Sequence, residues 1–89
     1  MSNNSYSTQP LIDKYEALQN AARLTRDDIK IRVTTAKQAY EDRKVRYSYD
    51  PAKWMSYFDH WQQLIGELDK AEAELRSRTR ECEQARALN

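Results

Sequence analysis

The chain has 89 residues, of which 33% are charged and 39% hydrophobic, with one glycine, two prolines, one cysteine and a formal net charge of +1. That length allows one domain. A lone cysteine excludes a disulfide scaffold and cannot by itself hold a structural zinc, a lone glycine excludes phosphate-cradling loops, and near-neutral charge gives no general pull toward nucleic acid or anionic lipid.

Residues 1–9 are polar and aperiodic, which predicts a disordered N-terminal arm. Met1 to Pro10 also lacks the basic start and apolar core of a secretory signal. Pro10 suits the first turn of a helix, where its missing N–H costs nothing. From Leu11 an apolar stripe runs through Tyr15, Leu18, Ala22, Thr25, Ile29, Val33, Ala36 and Tyr40, at helical spacing. Two successive steps of four, from Thr25 to Val33, predict a local relaxation of any left-handed supercoil. The first helix is expected over about 10–47.

Two stretches compete with that helix. Thr25-Arg26-Asp27-Asp28 has the look of a capping box and would start a new helix there. Ile29-Lys30-Ile31-Arg32-Val33-Thr34-Thr35 alternates apolar and polar residues and is β-branched, a strand signature with no partner strand elsewhere in the chain.

The firmest boundary is at 48–50. Tyr49-Asp50-Pro51 disfavours helix before the proline, while Asp50 offers an N-cap and Pro51 a first helical position. The second helix is expected over about 51–87. Its stripe, Trp54, Phe58, Trp61, Leu64, Leu68, Ala71, Leu75, Arg78, Cys82 and Ala85, steps by four and three and then by threes and fours in alternation to the end, over about four heptads. Gly66 lies inside it at a cost of roughly 1 kcal/mol relative to alanine, which a close neighbouring backbone would justify.

The fold class that follows is all-α: an antiparallel, coiled-coil-like hairpin of two long helices over 10–89. Each arm of about 37 residues would span ~55 Å. The expected register sets Leu68 against Ile31, Leu75 against Leu24, Cys82 against Leu18 and Trp54 against Val45. Charge agrees with arm-on-arm pairing: residues 23–53 carry nine Lys+Arg against five Asp+Glu, and residues 54–75 carry one Lys against five Asp+Glu. A two-helix hairpin covers each stripe on one side only. Ile12, Leu24, Ile31, Ile65 and Leu88 widen the apolar band, so completion to a bundle by a second copy or another protein is expected.

Little in the chain points to catalysis. His60, the single histidine, lies 22 residues from Cys82, ~33 Å along a helix, too far for a thiol–imidazole pair. Glu67, Asp69, Glu72 and Glu74 fall on charged helix faces without a cleft to shift a carboxylate's pKa. No catalytic, cofactor-binding or metal-ligating residue is assigned, and the chain is expected not to be an enzyme.

The informative feature is aromatic placement. Seven of the nine aromatics fall between Tyr40 and Trp61, interleaved with Arg43, Lys44, Arg46 and Lys53. Trp54, Phe58 and Trp61 lie on the helical stripe and suit a core plug. Tyr47, Tyr49 and Tyr57 lie off it, and together with Arg43, Arg46 and Lys53 they are the candidate partner-binding residues. A base-stacking surface is the less favoured use of the same residue types.

Two stretches are similar to known families. Asp50-Pro51-Ala52-Lys53-Trp54-Met55-Ser56-Tyr57 resembles the turn of type III secretion needle subunits and their small hairpin chaperones, which implies a helical hairpin that binds another protein. Ile29-Lys30-Ile31-Arg32-Val33 resembles the strand of ribbon-helix-helix repressors. There the implied dimer would pair two strands and read the major groove with Lys30 and Arg32. The favoured expectation is a non-enzymatic, cytoplasmic, self-associating protein that works through protein contacts as an adaptor, inhibitor or assembly factor. The cytoplasm follows from the unpaired Cys82.

Overall fold

A computed structural model describes the backbone of residues 3–88 and the side chains of residues 8–88. Two long helices, α1 (Asn3–Arg46) and α2 (Met55–Ala87), are joined by a short turn and form a helical hairpin, with no strand among the described residues.

Helix α1 begins earlier than expected. The arm predicted to be disordered through Gln9 is helical from Asn3, while Met1 and Ser2 lie outside the described residues. Extending an established helix orders one residue per hydrogen bond, with no new nucleus to form. Pro10 sits inside the helix and forgoes one such bond. Gln9 Nε2 donates to Asp13 Oδ1 at 2.9 Å across it. The helix also runs unbroken through Thr25–Asp28, so the capping-box signal there starts nothing.

The strand that competed with helix at Ile29–Val33 does not form: the whole segment is helical, as the expected first helix over 10–47 requires. Helical spacing half-buries Ile29 and Val33 and buries Ala36, whereas a lone strand would leave its backbone groups unpaired. Thr34 Oγ1 donates to the Lys30 carbonyl at 3.2 Å, and Arg32 pairs with Asp28 at 3.1 Å one turn away. Lys30 and Arg32 are thus exposed helix residues, and no ribbon exists for them to decorate.

The turn is more elaborate than a three-residue link. Tyr47 N donates to the Arg43 carbonyl at 2.8 Å and Asp50 N to the Tyr47 carbonyl at 2.9 Å, closing α1. Pro51–Lys53 then form one 3₁₀ turn. Asp50 precedes it, but its side chain makes no capping bond. Helix α2 starts at Met55 rather than Pro51. Trp54 leaves helical geometry at φ −129°, and its carbonyl accepts from both Tyr57 N and Phe58 N at 3.1 Å.

The contacts divide the hairpin into two units, one joining the chain up to Arg26 with Ala71 onward, the other comprising Asp27–Lys70. In the first, the buried residues are Ile12, Ala22, Ala71, Cys82 and Ala85. Gln19 Nε2 donates to Thr79 Oγ1 at 3.1 Å, and Arg86 pairs with Glu16, so polar bonds between the helices fix their level. Arg78 bonds to Glu81 at 3.0 Å and Glu74 at 2.8 Å, and these bonds raise its pKa above the ordinary guanidinium value. In the second unit Ala36 and Leu64 are buried, with an aromatic cluster at the turn.

The level of pairing agrees with expectation to within a few residues, and the α1 stripe holds at Tyr15, Ala22, Ile29, Val33, Ala36 and Tyr40 but shifts by one residue at Ile12, Gln19 and Arg26. On α1 the more buried positions step 12, 15, 19, 22, 26, 29, 33, 36, 40 in unbroken threes and fours. They pass through Gln19 and Arg26 and leave Thr25 exposed. Leu24, Ile31 and Val45 lie on the opposite side, at 69%, 67% and 84% exposure. They are therefore not seam residues as the expected register had them, and Trp54 meets Tyr40. A strict heptad outweighs the larger side chains because only alternating threes and fours keep one edge of a long helix against its partner.

Gly66 does not mark a close approach either. A Cβ built there meets nothing within 4 Å. Gly66→Ala is expected to stabilise the fold by roughly 1 kcal/mol through backbone entropy alone, and thermal denaturation followed by circular dichroism will show a higher midpoint.

Candidate protein-contact site

The site is built at the turn end of the second unit. Tyr40, on the buried edge of α1, is its centre. Its ring lies stacked on Trp61 (5.3 Å between centroids, 21° between planes), tilted on Phe58 (5.2 Å) and edge-on to Trp54 (5.9 Å, 68°). Phe58 and Trp61 meet edge to face at 5.9 Å. Offset and edge-on pairs of this kind contribute about 0.5–1.5 kcal/mol each beyond the area they bury. Trp54, just ahead of α2, and Phe58 and Trp61 within it meet Tyr40, which the α1 heptad delivers opposite them. The indole N–H groups of Trp54 and Trp61 are buried with no acceptor, the sole such side-chain atoms among the described residues.

Around this plug the cations lie on rings. Arg43 sits 4.8 Å from the Tyr57 centroid and Lys53 4.7 Å from that of Tyr47. Lys44 Nζ lies 5.2 Å from the Trp54 ring and donates to Tyr40 Oη at 3.1 Å. Arg46 is exposed. None of these four cations makes an ion pair among the described residues, whereas Arg32, Arg78 and Arg86 all do. Attraction to the ring quadrupole holds the ammonium and guanidinium groups in place without neutralising them.

The six candidate residues are therefore gathered at one end of the second unit, in different settings. Tyr47 and Tyr57 are half-buried, each beneath a cation. Tyr49 stands out at 80% exposure. Two further residues belong with them. Val45 points to solvent rather than into the seam. Lys44 ties the plug to the surface, and its one-turn spacing from Tyr40 is the sequence signal that finds it. Beside Val45, a shallow groove is lined by Tyr40, Glu41, Lys44 and Ser48.

Elsewhere chemistry is sparse. His60 is exposed beside a shallow groove with Ile31, Thr35 and Leu64, and Cys82 is a buried free thiol in the other unit. Among the described residues no group of three or more His, Cys, Asp or Glu gathers to hold a metal, and no helix is long and apolar enough to cross a membrane. The chain matches no family model, and neither a curated protein nor a solved structure shows significant similarity to it.

The plug and its rim should separate on substitution. Tyr40→Ala removes the ring that touches three others and should cost about 2–4 kcal/mol in chemical denaturation. Tyr49→Ala, at an exposed turn position, should stay within about 0.5 kcal/mol of the parent.

Proposed function

We propose that this is a non-enzymatic, cytoplasmic helical hairpin that acts by binding other proteins, as an adaptor, inhibitor or assembly factor, and that it self-associates. The observation that carries this reading is the poverty of the core. The buried residues number seven among those described, and four of them are alanines; Ile12 and Leu64 are the only large aliphatic side chains in the set. Large apolar groups are meanwhile left on the outside: Leu24, Ile31, Val45, Tyr49 and Leu88 are each more than two-thirds exposed. Full burial of one such side chain is worth ~1.5–3 kcal/mol, and a hairpin alone forgoes it for all five. A partner surface, from a second copy or another protein, recovers it.

The turn end supports the docking role. It offers an exposed tyrosine and valine beside arginine and lysine, the residue types that dominate contact energy at protein interfaces. Beneath them lies a plug that ties both helices together, so binding there would not require the site to be ordered first. The cytoplasmic assignment rests on Cys82, a free thiol in a chain without a disulfide.

Sedimentation velocity at micromolar concentration is expected to show a dimer or larger species. Ile31→Lys should shift it toward monomer while the circular dichroism spectrum stays the same. A stably folded monomer whose capture of host proteins is indifferent to Tyr49→Ala would overturn the proposal.

A further inference from the structure

We infer that the turn end recognises an acidic segment of a partner protein, with carboxylates meeting Arg43, Lys44, Arg46 and Lys53 and an apolar side chain lying against Tyr49 and Val45. This rests on the protein-contact reading above and names the chemistry of the partner.

The first support is charge. From Arg43 to Lys53 the chain carries four cations and one carboxylate, Asp50, in a protein whose total is +1. The second is what those cations do. Arg43, Lys44 and Lys53 lie on the rings of Tyr57, Trp54 and Tyr47 at 4.8, 5.2 and 4.7 Å, and none of the four has a carboxylate partner within the described residues. A ring holds a cation by its face and consumes no N–H donor; apart from the one N–H that Lys44 gives to Tyr40 Oη, the charges are positioned in advance with their donors open to a carboxylate. The third is the apolar company: Val45 at 84% and Tyr49 at 80% exposure belong to the same eleven residues as the cations.

A protein segment fits better than a nucleic acid. Glu41 and Asp42 precede the cations, Asp50 interrupts them and Asp59 follows. A long polyanion running past the tip would meet these carboxylates, whereas a short peptide can place its own acids among the four cations. Nucleic-acid sites by contrast extend a positive track along the backbone.

The test uses the full-length protein and a fluorescein-labelled peptide of about twelve residues, rich in Glu and Asp with a central leucine, read by anisotropy. A single-stranded oligonucleotide and phosphatidylserine vesicles serve as the competing anions. The peptide should bind, and raising salt from about 0.05 M to about 0.5 M should weaken it roughly tenfold or more. Backbone amide shifts in the unmutated protein should map to residues 43–57. The triple variant Arg43→Gln, Arg46→Gln, Lys53→Gln should lose binding roughly tenfold or more. A charge-matched control, Arg23→Gln, Arg76→Gln, Arg80→Gln, should bind as the parent does. The amide map keeps the result decisive if the triple variant unfolds. Equal losses in both variants, tighter binding of the oligonucleotide or vesicles, or shifts elsewhere in the chain each overturn the inference. Absence of peptide binding overturns it as well; if host-protein capture still depends on Tyr49, the protein-contact reading survives without it.

Discussion

An unbroken alternation of threes and fours along α1, met by steps of three and four on the facing stripe of α2, is the constraint from which the rest follows. A helix of 44 residues cannot keep one edge against its neighbour unless its contact positions recur every 3.5 residues. Along α1 that requirement takes the seam through Gln19 and Arg26, and it turns Leu24 and Ile31 outward although they are the more apolar side chains. Geometry over many turns outranks hydrophobicity at any one position. The cost is a core built largely of alanine, with Cys82 the most deeply buried side chain at 1% exposure.

Small residues bring helices close but bury little area, so specificity of level comes from elsewhere. In the first unit it comes from polar pairs, Gln19 with Thr79 and Glu16 with Arg86. In the second it comes from four interlocked rings, where Tyr40 touches Trp54 of the turn and Phe58 and Trp61 of α2. The turn itself is shaped by that cluster: Trp54 departs from helical geometry next to the proline-led 3₁₀ turn, and its ring meets Tyr40 edge-on. The same rings hold the cations of the rim, so the structural plug and the proposed docking surface share residues. A substitution at the plug would therefore disturb both.

Several signals in the sequence were locally sound and globally overruled. The alternation at Ile29–Thr35 is a strand pattern read over seven residues, yet Ile29 and Val33 also fall on the helical stripe, and a helix satisfies its own backbone where an isolated strand cannot. The capping box at Thr25 lost for a similar reason, since starting a new helix would break a seam already running through the site. Gly66 invited an explanation by close packing and has open space around it. The aromatic grouping near the turn was legible in the sequence, and helical spacing already set Trp54, Phe58 and Trp61 on the stripe. Which rings meet, and which lie under cations, was not, because a one-residue rotation about a helix axis changes every neighbour.

From the sequence alone came the class of fold, the two helices, the turn between them and the level at which they pair. These depend on period, proline placement and chain length, which are local and additive. Tertiary structure alone decided the one-residue shift of the α1 edge to Ile12, Gln19 and Arg26, the exposure of Leu24, Ile31 and Val45, the rings that Tyr40 meets and the settling of Arg43 and Lys53 on tyrosine rings. An apolar stripe nearly as wide as half a helix is compatible with more than one facing edge. Only the simultaneous fit of every turn against the opposing helix selects among them.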